Sequence, residues 1–336
     1  MQERFMTQKT GDNMSFRTGL VAALLLASAM GPATAEQASW PTRPVRFIVS
    51  FAPGGSADGL ARLIGQKLSE RWGQAVNVDN RPGGNTIISA VEAARAAPDG
   101  YTLYQSVNST LTMNPFAASK LPYDPVRDFT PISQLASVPM IWAATNQLPA
   151  KNMQEFVAYA KAHPNEVTVG YASIVAQAAV ETFMRDWGIQ ARLVPYKSGV
   201  DITKALLSNE ITLGFDGPTV YPPHIKSGKL RGLATTSPKR LDSFEGKVPT
   251  LVEQGLSKTE IPVWYAVMAP AGLPEALRDR IAADLKEVLG MPDVRSRISD
   301  IGMETRWTSP EDLTKLIRSE SAVIGPVVKE LGIKLQ

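Results

Sequence analysis

The sequence contains no cysteine, only two histidines and little net charge. Without cysteine the chain can form neither a disulfide scaffold nor a thiolate metal site, and no cysteine is present to carry a lipid anchor. His163 and His224 stand far apart, so no histidine pair has the spacing of a metal site. A net charge of +3 without a block of basic residues excludes the usual pattern of a nucleic-acid-binding protein.

The motifs of common enzyme classes are also incomplete. A serine-hydrolase elbow around Ser56 would need glycine two positions later, and that position is Asp58. The Gly54-Gly55 pair lacks the G-x-G-x-x-G pattern of dinucleotide sites, and no lysine follows it as in a phosphate loop. We therefore expect no catalytic residue, no cofactor and no metal. An exported hydrolase is the weaker alternative.

One apolar run stands near the N-terminus, and it has the features of a secretory signal. Gly19–Met30 follows Arg17 and ends near Ala33-Thr34-Ala35, an A-x-A cleavage pattern. The run is too short to span a bilayer, although an N-terminal membrane anchor is the alternative. We predict a cleavable signal peptide over residues 1–35 and export to the periplasm. Roughly 300 residues then remain, a length typical of two domains.

Strands, turns and helices alternate along the rest of the chain. Val45–Phe51 reads as a strand, the next residues as a glycine turn, and residues from about Ala57 as an amphipathic helix. Repetition of this unit predicts parallel strands joined by helical crossovers. The segment VNSTLTMNP, residues 107–115, reads as a polar loop. The extended segment FTPISQLASVPMIWAAT, residues 129–145, indicates a passage from one domain to the next.

Ligands of open parallel sheets bind at the loops beyond the carboxyl ends of the strands. Here the polar or glycine-rich loops at such positions are Ala52–Asp58, Ser106–Thr110, Ser173–Gln177 and Asp216–Thr219. In the first loop, Gly54 and Gly55 would let the backbone approach a small molecule, and Ser56 would cap the following helix. Free N–H groups at a helix start favour an anion. A tight capped turn without a ligand is the structural alternative.

Several long stretches of the sequence resemble one known family. The chain resembles the solute receptors of tripartite tricarboxylate transporters, the Bug or TctC-like family, in FAPGGSADGLARLIGQKL, AAPDGYTLYQ, LPYDPVRDFTPIS, VPYKSG, HIKSGKLRGLA and APAGLP. The resemblance implies an α/β, two-lobed periplasmic binding protein-like fold. Each lobe would be a mainly parallel sheet flanked by helices, with crossover strands as the hinge. We place lobe 1 at residues 36–138 plus 263–336 and lobe 2 at residues 139–262.

The resemblance also implies a function. It indicates a periplasmic receptor, expected to be monomeric, that binds a small carboxylate and delivers it to membrane permease subunits. A ligand-dependent partner of a sensor kinase is an alternative that the sequence does not separate from transport. The ligand-binding residues expected from the matching motifs are Pro53, Gly54, Gly55, Ser56, Asp58, Ser106, Asn108, Ser109, Thr110, Ser173 and Asp216. We expect Asp58 to orient the first turn by hydrogen bonding, without acting as a base.

The chain departs from the family pattern in three of the expected lining loops. Ile174 and Val175 stand where the family has a serine- and glycine-rich loop leading to a histidine. NTIISA, residues 85–90, replaces a more polar stretch, and Gly217 replaces an asparagine. These changes suggest that Ile174, Val175 and Ile87 contact an apolar part of the ligand, which would favour an aromatic or short aliphatic monocarboxylate over citrate. The alternative is that these side chains pack in the core.

Overall fold

The structure is a computed structural model that describes residues 40–164, 166–257 and 263–335. The expected signal peptide, residues 1–35, lies outside the described residues. The fold presented below is that of the compact unit of residues 43–336. In the part that the structure describes, no helix combines the length and the apolar character needed to cross a membrane.

Six strands form the first sheet. They are β1 (Val45–Val49), β2 (Val76–Asn80), β3 (Thr102–Val107), β4 (Phe129–Val138), β10 (Val263–Pro270) and β11 (Glu304–Thr305). Their order across the sheet is β11-β4-β10-β3-β1-β2. β1 and β3 lie inside the sheet and are almost entirely buried, which explains why β1 is an uninterrupted run of mostly apolar residues.

Five strands form the second sheet. They are β5 (Ile141–Thr145), β6 (Thr168–Tyr171), β7 (Arg192–Pro195), β8 (Leu213–Asp216) and β9 (Leu230–Thr235). Their order is β7-β6-β8-β5-β9. Every residue of β5 is buried, whereas the edge strand β7 is partly exposed along its length.

Both sheets are mixed, so the expectation of mainly parallel sheets is wrong. In the first sheet β1 runs parallel to β2 and β3, but β10 runs antiparallel to β3 and β4. In the second sheet β6 runs parallel to β7 and β8, but β5 runs antiparallel to β8 and β9. The helical crossovers produce the parallel pairs, as predicted. A strand next to a passage between the sheets enters its sheet from the opposite end. Such strands form the antiparallel pairs.

The chain passes from the first sheet to the second between β4 and β5, within the segment predicted to join two domains. It has returned to the first sheet when β10 begins at Val263. The two-lobed α/β architecture inferred from the sequence is therefore confirmed. The exact lobe limits, residues 36–138 plus 263–336 and 139–262, and the hinge role of the crossover strands stay predictions.

Helices flank both sheets. Those associated with the first sheet are α1 (Ser56–Trp72), α2 (Ile87–Ala94), α3 (Asn108–Thr112), α4 (Asn114–Ala117), α9 (Glu275–Gly290), α10 (Pro292–Asp300) and α11 (Pro310–Glu330). Those of the second sheet are α5 (Met153–Ala162), α6 (Ile174–Trp187), α7 (Gly199–Leu207) and α8 (Pro222–Lys226). The predicted apolar face of α1 is buried: Leu60, Ile64 and Leu68 are each 0% exposed.

The segment predicted as a polar loop, residues 107–115, is helical and buried instead. Val107 completes β3, residues 108–112 form α3, and after the turn residue Met113 the helix α4 begins at Asn114. Its polar side chains turn inward because buried partners satisfy them: the Asn108 amide and the Thr112 hydroxyl both donate to Glu320 Oε1, at 2.7 and 2.8 Å. Polarity in the sequence therefore marked a buried hydrogen-bond network and not a solvated loop.

Both sheets pack against apolar cores, and a further cluster lies where α6 meets α11. In one core of the second sheet the rings of Trp142 and Phe215 lie 4.4 Å apart, and in the core of the first sheet those of Tyr104 and Phe129 lie 5.8 Å apart. The further cluster, which we call the α6–α11 cluster, contains Met113, Ala117, Val175, Ala178, Ile324, Val327, Val328 and Ile333. It joins helices of the two sheets through buried apolar contact.

Candidate functional site

A cavity of about 460 Å³ lies where loops of the two sheets meet. It collects residues that follow the carboxyl ends of β1, β3, β6 and β8, which is where open α/β sheets place ligands. We call its two sides the first wall (Ser50, Ser56, Thr86, Ser109 and Tyr265) and the second wall (Ser173, Ile174, Val175, Asp216 and Thr219). A neighbouring cavity of about 310 Å³ is lined mainly by residues 239–243 and 299–306, beyond these strand-end loops.

The glycine turn after β1 owes its shape to Asp58. Gly54 has a φ of +89°, a conformation that favours glycine, and its N–H donates to Asp58 Oδ2 at 2.9 Å. Arg62 and Asn80 also donate to this carboxylate. Burial by itself would raise the pKa of Asp58, but the hydrogen bonds from Arg62, Gly54 and Asn80 outweigh it and lower the pKa to about 2. Asp58 thus orients the turn as an ionised acceptor, and it does not line the cavity.

The start of α1 differs in one respect from the expectation. Gly55 is the N-cap and Ser56 is the first helical residue, so the predicted capping by the Ser56 side chain is wrong; the cap position has no side-chain hydrogen bond. Ser56 does line the cavity, whereas Pro53, Gly54 and Gly55 are exposed beside it. The Gly54 amide is already occupied by Asp58, but the next N–H groups of α1 have no intrahelical partner.

The predicted residues around the end of β3 are mostly buried behind the cavity. Ser106 donates to the Val107 carbonyl, Asn108 donates to Glu320, and Thr110 shares a 2.7 Å hydrogen bond with Thr86. Of the expected group, only Ser109 lines the cavity. The others set the position of the wall without reaching the open space.

The turn before α2 is a part of the site that the sequence reasoning did not assign. Pro82, Gly83, Asn85 and Thr86 line the cavity. Asn85 and Thr86 have φ values of 48° and 74°, which is unusual for residues with side chains. The Thr86 hydroxyl shares a hydrogen bond with the Thr110 hydroxyl and accepts one from the Asn114 amide. The available signal was a second glycine turn directly after a strand, the same arrangement as at Gly54.

Tyr265 is a second missed residue, and it supplies a hydroxyl to the first wall. It lies on β10 opposite Val107 and packs edge-on against Phe51, with ring centroids 6.0 Å apart. No described protein group forms a hydrogen bond with its hydroxyl, although the residue lines the cavity. Burial raises the pKa of Tyr265 to about 12, so the hydroxyl keeps its proton at neutral pH and can donate.

The second wall combines a helix start with apolar side chains. Ser173 is the N-cap of α6, and its Oγ accepts from the Ala176 N–H at 3.1 Å. Ile174 and Val175 line the cavity, and Val175 is also part of the α6–α11 cluster, so it packs in a core as well; its contact with a ligand stays a prediction. Ile87 is not a lining residue; it packs against the core of the first sheet.

Asp216 ends β8 and faces the cavity from the second wall. Its Oδ1 accepts from the Gly217 N–H at 2.8 Å, and burial raises the pKa of its carboxyl. Among the described lining residues, no lysine, arginine or histidine is present. Within residues 40–164, 166–257 and 263–335, no group of three or more acidic, histidine or cysteine side chains is arranged for a metal ion.

The arrangement suits binding of an anion by neutral donors. α1 and α6 begin at the cavity, and the turn at Thr86 leads into α2, so the positive ends of three helices meet there. Hydroxyls of the first wall add further donors. The geometry therefore suits a carboxylate-sized anion at the helix starts, with apolar side chains beside them.

Comparison with known proteins agrees with this geometry. A family model described as "Tripartite tricarboxylate transporter family receptor" matches residues 60–333. A UPF0065 protein of Bordetella bronchiseptica is 32% identical over 318 residues, which cover 95% of this chain and 94% of that protein. The protein BugT of Bordetella pertussis is 30% identical over 319 residues, which cover 94% of this chain and 98% of that protein.

Solved structures of similar proteins share the fold. The R. palustris protein Rpa4515 with adipate superposes with a TM-score of 0.75 at 31% identity, over 88% of this chain and 99% of that one. The periplasmic binding protein BugD superposes with a TM-score of 0.71 at 28% identity, over 88% of this chain and 100% of that one. The family resemblance seen in the sequence is therefore confirmed: the chain belongs to the receptor family of tripartite tricarboxylate transporters, whose members are solute-binding receptors and not enzymes.

Proposed function

We propose that this protein is a periplasmic receptor that holds a small carboxylate between its two sheets. The observation that carries the proposal is the cavity of about 460 Å³ that is bordered by helix starts and contains no basic side chain among its described lining residues. Backbone N–H groups and neutral hydroxyls would receive the carboxylate, as at other helix N-termini. Rpa4515, which has the same fold, is described with adipate, a carboxylate.

The expected affinity is consistent with reversible uptake. A hydrogen bond to a charged group contributes about 1.5–3 kcal/mol. A few such bonds, reduced by the cost of association, lead to a binding free energy of about −8 kcal/mol, which corresponds to a micromolar Kd. A cavity enclosed between two lobes also removes the ligand charge from water, which strengthens each of these bonds.

The apolar part of the cavity favours a ligand with an apolar chain over citrate. Ile174 and Val175 line the second wall, and Val107, Val138 and Ile301 add further apolar surface. Three carboxylates would have to share a site without a lysine or arginine among its described lining residues. We therefore expect short aliphatic or aromatic monocarboxylates to bind more tightly than citrate.

We further propose that the protein is exported with removal of residues 1–35, acts as a monomer and delivers its ligand to permease subunits of a tripartite transporter. The family description supports the transport role. Mass spectrometry of the exported protein should show a chain that begins near Glu36, and light scattering should show one chain per particle. Affinity purification from membranes with ligand present should recover the permease; recovery of a sensor kinase instead would favour the signalling role.

Calorimetric titration with a panel of carboxylates, citrate included, tests the binding function. Wild-type protein should bind at least one apolar carboxylate with a micromolar Kd. Gly55→Val should weaken that binding at least tenfold with little change in Tm, because the ideal Cβ of residue 55 lies 3.9 Å from its nearest neighbour and its side chain would enter the edge of the site. Failure of every carboxylate to bind would refute the proposal.

Gly290→Val is the matched control for this variant. Gly290 ends α9, its backbone φ is not positive, and no atom lies within 4 Å of its ideal Cβ. This variant should bind like wild type. Equal weakening by both substitutions would show that the effect of Gly55→Val does not come from the site.

A further inference from the structure

Asp216 is the only aspartate or glutamate among the described residues that line the cavity, and these residues include no lysine, arginine or histidine. A carboxylate receptor gains nothing from a negative side chain in its cavity unless that side chain meets a particular part of the ligand. Like charges at short distance in a poorly solvated site repel strongly. The position of this one carboxylate therefore indicates which chemical group of the ligand lies beside it.

The contacts of Asp216 leave one side of its carboxylate without a protein donor. Oδ1 accepts from the Gly217 N–H at 2.8 Å. In the described part of the chain no other hydrogen bond or ion pair to Asp216 is present. Oδ2 lies against the first residue of α7, since a Cβ on Gly199 would stand only 1.9 Å from it. The glycine thus leaves room for the carboxylate, and the start of α7 is electrostatically compatible with its charge.

Both walls border a helix start, but only the second wall contains a carboxylate. The first wall presents neutral donors at Ser56, Ser109 and Tyr265, which suit a carboxylate. The second wall presents the start of α6 and the carboxylate of Asp216. A ligand that spans the cavity with one carboxylate on the first wall brings its other end near Asp216. A second carboxylate there would find no lysine, arginine or histidine among the described lining residues.

We propose that Asp216 is a specificity-determining residue that selects monocarboxylates whose far end carries an N–H or O–H donor, and that disfavours dicarboxylates. The proposal rests on the function proposed above and names the ligand class of the same site. A neutral amide, a hydroxyl or an ammonium group would donate to Asp216 Oδ2. The alternative is a structural role, in which Asp216 only stabilises the start of α7; that role would change stability without changing the order of ligand affinities.

Calorimetric titration at pH 7 with pairs of ligands of equal length tests the proposal. The probes are succinate and succinamate, glutarate and glutaramate, and adipate and adipamate, in which an amide replaces one carboxylate. In the pairs that bind wild-type protein, the amide should bind at least tenfold more tightly than the dicarboxylate. This comparison needs no variant, so a variant that fails to fold does not prevent the test. Dicarboxylates that bind as tightly as their amides would overturn the proposal.

Asp216→Asn provides the second arm. The variant keeps an Oδ1 that accepts from Gly217 and removes the charge, so the preference for the amide should fall to less than threefold or reverse. Asp279→Asn removes one charge from an exposed position on α9 and should leave the preference unchanged. A preference that persists in Asp216→Asn would assign the selectivity to another group. Absence of binding by all six compounds would overturn both this proposal and the carboxylate function, whereas tight dicarboxylate binding would overturn this proposal alone.

Discussion

The two walls of the cavity differ in how they are held in place. The first wall rests on buried hydrogen bonds: Ser50 and Tyr104 share one of 2.8 Å, and Thr86 and Thr110 share one of 2.7 Å. The second wall rests on apolar packing, since Val175 belongs to the α6–α11 cluster. Directional bonds fix polar groups in one orientation, which prepares the first wall for an anion. Apolar packing tolerates exchange of similar side chains. The side chains of the second wall, and with them the ligand groups that it contacts, can therefore change without loss of packing.

Removal of the Glu320 carboxylate should give the largest effect, because it takes the support from behind the first wall. Glu320 is buried and accepts from Asn108, Thr112 and the Trp264 Nε1–H, the last at 2.6 Å. Glu320→Ala would remove the acceptor of the buried Trp264 Nε1–H and one acceptor of the Asn108 amide, whereas Thr112 can donate to the Asn108 carbonyl instead. The variant should lower the free energy of unfolding by about 3 kcal/mol. Urea denaturation measures this change.

Glu330→Ala is the control on the same helix. Its partner is Arg185 in an exposed ion pair, and such pairs contribute about 0–1 kcal/mol. Similar losses for the two variants would show that the buried network does not hold the first wall. Glu320→Gln, which keeps one acceptor oxygen, should lie between Glu320→Ala and wild type.

Tyr265→Phe should have an intermediate effect, on binding and not on folding. The substitution removes only the hydroxyl that the first wall presents to the cavity, and no described protein group depends on that hydroxyl. Loss of one hydrogen bond to a carboxylate should weaken binding about tenfold, or about 1.4 kcal/mol. Titration with the tightest carboxylate measures the effect, and thermal melting should show a Tm close to wild type. Unchanged affinity would remove Tyr265 from the site.

Asp216→Asn should have the smallest effect on stability, and the size of this effect should depend on pH. Burial raises the pKa of Asp216, so the ionised form is less favourable in the folded than in the unfolded chain. The contribution of Asp216 to the stability of wild type is therefore fully present below the ordinary aspartate pKa of about 4. It is lost as the pH rises through the raised pKa of Asp216 in the folded chain. The asparagine does not ionise, so the variant should melt above wild type at pH 7.

The difference in Tm between Asp216→Asn and wild type should also change with pH. The gain in Tm should shrink as the pH falls toward about 3, where wild-type Asp216 is protonated in both states. Melting curves of both proteins between pH 3 and pH 8 measure this trend. A variant that melts below wild type at pH 7 would show that the second wall needs the negative charge for folding.

Much of the fold could be predicted because it depends on local patterns. The apolar spacing of Leu60, Ile64 and Leu68 predicted α1, and the extended run over residues 129–145 predicted the passage between the sheets. Strand direction was less accessible, because it depends on which end of a sheet the chain enters after a passage. The polar stretch around Asn108 was read as a loop because its buried partner, Glu320, is 212 residues away in the sequence.

The alternation of strands and helices, the glycine turn at Gly54 and the membership in a receptor family could be predicted from the sequence alone. These features follow from residue spacing, backbone freedom and long matching motifs, which need no knowledge of distant contacts. The positions of the cavity residues required the folded chain: Ser109 reaches the cavity while Ser106 and Thr110 stay behind it, and Thr86, Tyr265 and Asp216 face one space. The reason is that contact across a cavity depends on how two separate sheets pack, and that packing brings together residues with no local relation in the chain.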